Sequence, residues 1–450
     1  MPPALPAAPP APVSFAQALR FWLQLGFISF GGPAGQIALM HAELVERRRW
    51  ISEARFLHAL NYCMVLPGPE AQQLATYIGW LMHRTAGGLA AGLLFVLPSL
   101  VLLIGLSWVY LAWGHVAAVA GVFYGLKPAV AALVAQAAHR MGSRVLKNGW
   151  LWALAVGAFV AIAVLQWPFP AVVAAAALLG HLGGRWRPHA FSLKSGHSAS
   201  AAAGHAPALI DDDTPTPPHA RFSRSGWVRV AGLGVLLGGA VLGVLMLLPS
   251  PSTTLVDMAR FFTQAALLTF GGAYAVLPYV FDGAVQQHQW LTAAQMMDGL
   301  ALGESTPGPL IMVVAFVGYV GGWTHQVFGP QALALAGAAG ACVATFFTFL
   351  PSFVFILAGG PFIESTHGKL GFTAPLTAIT AAVVGVILHL ALFFAGHVVC
   401  PHGWSAPPDL AATALGVAAG VALIRLRWGV LPVLGACAAA GWALQAAGVA

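Results

Sequence analysis

Four short stretches set glycine and proline inside long apolar runs. They are Gly31-Gly32-Pro33 in "FISFGGPAGQIALMH", Pro67-Gly68-Pro69 in "LPGPEAQQLATYIGW", Gly271-Gly272-Ala273 in "LLTFGGAYAVLPYV" and Pro307-Gly308-Pro309 in "STPGPLIMVV". A helix that stops and restarts at such a point exposes the N–H groups of its new first turn. Those donors, with the positive end of the helix dipole, bind an oxyanion without any charged side chain. Pro33 and Pro69 suit the first turn of a restarted helix. A single break reads equally well as a kink or a close helix contact, since both residues are common in membrane helices. Four breaks, two in each half of the chain, favour a shared central site.

Ionisable side chains inside apolar runs are costly and mark function. Lys127 lies midway along "HVAAVAGVFYGLKPAVAALVAQAAH", too central to snorkel, with Pro128 opening backbone beside it. A cation there holds an anion or pairs with a carboxylate. Glu70 follows Pro69 directly, and Glu304 stands just before Thr306-Pro307. An acid beside an anion site repels substrate when ionised and does not when protonated, which is the logic of proton coupling; for Glu70 the alternative is a simple helix N-terminal charge. Arg20 and Arg260 precede their FGG breaks by about three turns, as entrance residues or as helix anchors. Asp282 and Asp298 read as loop or helix-end residues.

The elements that must position these residues are membrane helices. Of 450 residues 59% are hydrophobic and 7% charged, and the mean hydropathy is +0.81. Soluble domains carry about 25% charged residues, so the composition demands a polytopic protein in a lipid bilayer. The net charge of +7 sits at segment ends, which marks topology and not nucleic-acid binding. Four cysteines lack CxxC spacing, no His/Cys metal pattern is present and no cofactor is implied. Residues 1–14 are Pro/Ala-rich and read as a disordered tail; they lack the basic and apolar regions of a cleaved signal.

The chain repeats itself. At a shift of 240 residues Arg20-Phe21 falls on Arg260-Phe261, Phe30-Gly31-Gly32 on Phe270-Gly271-Gly272, Trp50 on Trp290 and Pro67-Gly68-Pro69 on Pro307-Gly308-Pro309. With small insertions, Leu97-Pro98-Ser99 matches Leu350-Pro351-Ser352. The predicted organisation is an N-terminal repeat (15–182), a polar Ser/Pro-rich cytoplasmic linker (183–226) that includes Asp211-Asp212-Asp213, an unmatched connecting helix (227–248) and a C-terminal repeat (254–450). Each repeat holds two Gly/Pro-broken helix pairs and then four longer helices. "ERRRW" (46–50) has three arginines and its partner "QQHQW" (286–290) none; no Lys or Arg occurs from Phe261 to Gly368. Under the positive-inside rule the equivalent loops lie on opposite sides, and the single extra helix supplies the odd crossing. Arg47, Arg84, Arg140, the linker, Lys369, Arg425 and Arg427 then all fall in the cytoplasm. The fold class expected is therefore an all-α polytopic membrane protein of two inverted-topology repeats, the plan of many secondary transporters.

These motifs, in this order, resemble the chromate ion transporter family in its long, two-domain form: "FGGPAGQIALMH", "LPGPEAQQLATYIGW", "LTFGGAYAVLPYV", "STPGPLIMVVAFVGY" and "AITAAVVGVILHLA". The resemblance implies a carrier of the bacterial inner membrane that extrudes chromate and confers resistance, with sulfate as a chemically similar competitor. No spacing argument separates the two anions, and a sulfate importer of the same fold is the alternative. A channel whose two halves line a continuous pore is a further alternative; an enzyme acting on lipid or prenyl phosphates fits less well, because such enzymes need acidic or His clusters at a membrane face. The oligomeric state is left open, a homodimer included.

Overall fold

The computed structural model describes residues 11–30, 32–187, 189, 191, 207–212, 214, 215, 217–247, 253–366, 373–401, 403 and 405–448. Gly31, Asp213 and Lys369 lie outside them. Helix α1 (Phe15–Ile28) begins at a capping box in which Ser14 and Gln17 satisfy each other's backbone donors. After the FGG break come α2 (Gly32–His41) and a π-helical turn (Ala42–Arg47). Helix α3 (Glu53–Val65) is capped by Ser52. Helix α4 (Glu70–Trp113) follows, with Pro69 as its cap and an interruption at His83 and Arg84. Then come α5 (Ala117–Val145), α6 (Gly149–Ala163), α7 (Phe169–Trp186) and α8 (Arg224–Leu247).

The second half opens with the same grammar: α9 (Thr254–Leu268), α10 (Ala273–Phe281), a π-helical turn (Asp282–Gln287) and α11 (Ala293–Ser305) capped by Thr292. A 3-10 turn (Leu310–Met312) leads into α12 (Val313–Thr324), then α13 (Leu333–Thr366), α14 (Thr373–Val399), α15 (Leu410–Ile424) and α16 (Val430–Ala446). The likeness extends to backbone detail. Arg49 and Gln289, one shift apart, both take positive φ, 52° and 53°.

The broken pairs do not cross as interrupted rods; they turn back. Phe21 and Trp50 stack edge-on at 5.0 Å, and Phe261 and Trp290 at 5.4 Å. On a continuous helix residues 29 apart would be separated by roughly 43 Å. Tyr62 meets Tyr77 across the PGP break at 5.8 Å, and the Tyr279 hydroxyl donates to Gln264 at 3.1 Å. A side chain on Gly299 would collide with the Phe316 ring. Each pair is a re-entrant hairpin. The arms are short, as α3, α9 and α11 show. Helices of that length reach roughly 20 Å and stop short of a hydrocarbon core roughly 30 Å thick.

The hairpin tips meet crosswise between the halves. Gly68 N–H donates to the Thr269 carbonyl at 2.8 Å, and Gly308 N–H donates to the Ser29 carbonyl at 2.7 Å. Gly68 and Gly308 both take positive φ, a conformation that glycine alone adopts without strain. The longer helices interlock in the same reciprocal manner. Helix α5 packs on α15 and α16 of the other half, while α14 packs on α6 and α7. Helix α8 buries no residue and lies against α13 and α9.

Among the described residues five helical segments are long and apolar enough to span a bilayer: within α4, α5, α8, α13 and α14. The protein is an all-α polytopic membrane protein, as its composition demands.

The described part of the linker is docked. Ile210 pairs with Ile51, and Arg55 donates to the carbonyls of Asp211 (3.4 Å) and Thr214 (2.7 Å). A third bond from Arg55 reaches Glu364 of α13 at 2.8 Å.

Gly308→Ala tests the tip contact. The new Cβ would lie 2.7 Å from Ser99 Cβ at a strained φ, which predicts a loss of about 1–3 kcal/mol. Purified protein should melt at lower temperature, while Gly105→Ala, with nothing within 4 Å, should leave the midpoint unchanged.

Candidate functional site

Two breaks have open or chemically distinctive surroundings, and they differ. At the first, Gly32 takes φ +70° and a Cβ there would meet nothing within 4 Å; Gly31 lies outside the described residues. Pro33 sits in the first turn of α2. Phe30, two residues before Gly32, is exposed.

The second FGG break is lined by charge. Gly271 and Gly272 take φ +80° and +96°. A Cβ on Gly272 would lie 4.0 Å from Glu70 Oε1, and one on Gly271 would touch Thr380 and Met141. Two residues on, the Tyr274 hydroxyl donates to Glu304 Oε1. Arg140, exposed on α5, lies within electrostatic reach of Glu304 and Tyr274. Glu70 begins α4 and Glu304 ends α11, so four elements deliver these groups to one segment, Gly271–Tyr274. Among the described residues the N–H groups of Ala273 and Tyr274 have no hydrogen-bond partner. They are the donors that the start of α10 presents.

The PGP breaks are arranged otherwise. Here the glycine N–H groups themselves are taken: Gly68 and Gly308 bond Thr269 and Ser29 across the halves. Gln73 Nε2 donates to the Pro67 carbonyl at 2.8 Å and Gln36 Nε2 to the Gly308 carbonyl at 2.5 Å. Thr306 turns its hydroxyl back to Gly303 O at 3.1 Å, and Pro309 caps the 3-10 turn that follows Pro307-Gly308. The first-turn N–H groups of α4, at Glu70, Ala71 and Gln72, have no partner among the described residues.

Lys127 lies apart from the glutamates, on α5. Its ammonium faces Asp298 Oδ2 of α11 at 3.8 Å, and the Tyr110 hydroxyl donates to the same oxygen at 2.8 Å. Asp298, read from sequence as a helix-end residue, is instead buried inside α11. The available signal was an acid in an apolar run with no polar edge to snorkel to. Tyr274, Thr380 and Arg140 carried no such signal. Arg20 and Arg260 are both exposed on their helices and form no ion pair among the described residues.

An apolar cavity of about 590 Å³ opens between α6 and α7, walled by residues such as Trp150, Trp167 and Phe191. Arg187 is the charged group in its lining, and none of the candidate residues borders it, so it suits acyl chains better than an oxyanion.

Re-entrant helix tips, unpaired helix-start donors and carboxylates enclosed by apolar helices define a membrane transporter and not a soluble binding protein. The chain belongs to the chromate transporter family: the family profile matches residues 16–181 and 256–442. A chromate transport protein of Pseudomonas aeruginosa is 34% identical over 84% of this chain and 81% of its own. A chromate transport protein of Cupriavidus metallidurans is 30% identical over 82% and 80%, and a probable chromate transport protein of Synechococcus elongatus 28% over 83% of each. No solved structure matches.

Tyr274→Phe removes the donor that holds Glu304 in its buried position. The expected cost is about 1–3 kcal/mol, read as a lower melting temperature of the purified protein at unchanged expression in the membrane.

Proposed function

We propose that the protein is a secondary carrier that exports chromate across the bacterial inner membrane, with sulfate as a competing oxyanion. The observation that carries this is the pair of N–H groups at Ala273 and Tyr274, without a partner among the described residues, at a break where Glu70, Glu304, Arg140 and Thr380 converge. Such donors inside lipid need a partner, and a tetrahedral dianion supplies oxygen acceptors on every side. The names of the relatives support chromate as that anion.

The binding site comprises the break residues Gly31, Gly32, Pro33, Gly271 and Gly272, the tips Pro67, Gly68, Pro69, Thr306, Pro307, Gly308 and Pro309, and Lys127. In it, Gly271 and Gly272 let the oxyanion approach the start of α10. Gly68 and Gly308 shape the cavity through the tip contacts, and Lys127 adds a positive charge from the far side. Glu70 and Glu304 couple transport to protons. Ionised, they fill the positive field at the start of α10; protonated, they leave it to the substrate. Arg20 and Arg260 line the approaches.

The two halves form inverted repeats joined by the cytoplasmic linker and α8. Reciprocal tip contacts support this, because short hairpins of roughly 20 Å entering from opposite faces meet tip to tip in a core of about 30 Å. The three arginines of "ERRRW" (46–50), absent from its partner "QQHQW" (286–290), give the same sense, with the linker inside. Alternating access is then a rocking of one half on the other. Export of a dianion is favoured by an inside-negative potential, by about 2.3 kcal/mol per charge per 100 mV.

Inside-out vesicles from cells making the protein should accumulate chromate above control vesicles, and excess sulfate should depress the uptake. Uptake confined to right-side-out vesicles would overturn export in favour of import. Glu304→Gln should flatten the dependence of uptake on an imposed pH gradient; an unchanged pH profile would remove Glu304 from the coupling.

A further inference from the structure

The contact between Lys127 and Asp298 has three features that a plain structural salt bridge lacks. It is long: 3.8 Å, at the edge of ion pairing. It is lopsided: Asp298 Oδ2 receives both the Lys127 ammonium and the Tyr110 hydroxyl, while Oδ1 is buried with no partner. It is unequally enclosed: the Asp298 side chain is 5% exposed and that of Lys127 35%. The ammonium therefore borders accessible space and faces its counter-ion beyond hydrogen-bond reach, while Tyr110 holds that counter-ion from behind. Among the described residues Lys127 Nζ donates no hydrogen bond. The holder is rigid, since the Tyr110 ring packs edge-on against Phe123 at 4.8 Å and Phe316 at 5.4 Å.

The pair also joins the two halves. Lys127 belongs to the first repeat and Asp298 to the second, on α5 and α11, which pack together. Pro128 follows Lys127, so the backbone at that point lacks a normal helical bond and the side chain sits on a locally adaptable turn. A built, static bridge would satisfy both carboxylate oxygens and close the ammonium off.

We infer that Asp298 is a resident counter-anion for Lys127, which an incoming oxyanion displaces. In the empty carrier Asp298 neutralises the half-exposed cation and pins α11 to α5. An oxyanion entering from the open side takes over the free donors of Lys127, and Asp298 keeps only its bond from Tyr110. Substrate binding thus releases one contact between the halves and makes rocking conditional on occupancy. Asp298 is a positioning residue in this scheme and sets affinity by competition. The inference rests on the proposed substrate role of Lys127.

Chromate uptake into inside-out vesicles, normalised to protein in the membrane, tests it with three variants. Asp298→Asn keeps an acceptor for Tyr110 and removes the competing charge. It should lower the chromate KM by about fivefold or more, the scale of a coupled-site effect, and lower kcat because release slows. Lys127→Arg should raise KM, since a guanidinium grips the carboxylate more fully. This second variant keeps the idea testable should Asp298→Asn fail to insert. An Asp298→Asn KM at or above that of the unaltered protein, or a Lys127→Arg KM at or below it, would overturn the inference. Lys127→Ala separates the two readings. If its KM is unchanged, Lys127 has no substrate role and the proposed site fails with it. If its KM rises while that of Asp298→Asn does not fall, only the displacement fails.

Discussion

Backbone amides that leave a helix inside lipid must find partners, and the architecture of this protein follows from how they do so. Four hairpins enter the bilayer and stop partway, which leaves peptide groups exposed at four tips. The four tips complete one another in two pairs: Gly68 N–H meets the carbonyl of Thr269, and Gly308 N–H that of Ser29. Neither half can satisfy its own tip, so each requires the other in one relative placement. Ser352 and Ser99 press so closely on Gly68 and Gly308 that any side chain would force the contact open. The same reciprocity runs outward through α5 and α14, each clasped by the terminal helices of the opposite half. An intertwined pair of this kind cannot drift apart, and its central contacts are few and directional.

Duplication gives two copies of each break, but divergence has made the copies chemically unequal. Glu70 corresponds in position to Leu310, and Glu304 to Met64. Because the halves pack crosswise, the two glutamates nevertheless reach the same break, at Gly271–Tyr274. At the Gly32 break a side chain would meet nothing within 4 Å. A twofold scaffold thereby carries a one-sided cluster of charge. Such asymmetry gathers the ionisable side chains at the second FGG break.

Much of this was legible from sequence because it is local. Apolar runs, Gly/Pro breaks and a constant shift between the two halves are read from short stretches of residues, and they predicted an all-helical membrane protein with four interruptions. Arm length carried a further hint, since a helix as short as α3 cannot span the core. The turning back of each pair was not legible, because the same pattern suits a broken rod. Nor was the pairing of Gly68 with Thr269 or of Lys127 with Asp298, contacts between residues in opposite halves of the chain. Asp298 looked like a helix-end acid because helix boundaries from pattern alone carry an error of a few residues.

The linker shows how a segment without regular structure acquires a mechanical role. Composition described it as polar and unstructured, yet Ile210 adds a short strand-like pair to Ile51 at the base of the first two hairpins. Arg55 stands at the junction. Its guanidinium bonds the linker carbonyls of Asp211 and Thr214 and the buried carboxylate of Glu364, which also accepts from the Tyr77 hydroxyl at 2.5 Å. Five fixed donors in one plane allow a single arginine to hold three segments at once, which a lysine cannot do. Glu364 closes α13 of the second half, so the linker, the first half and the second half share one charged knot at the hairpin bases. The tip contacts constrain the middle of the protein and this knot one end. Relative motion of the halves has to bend about one or break the other.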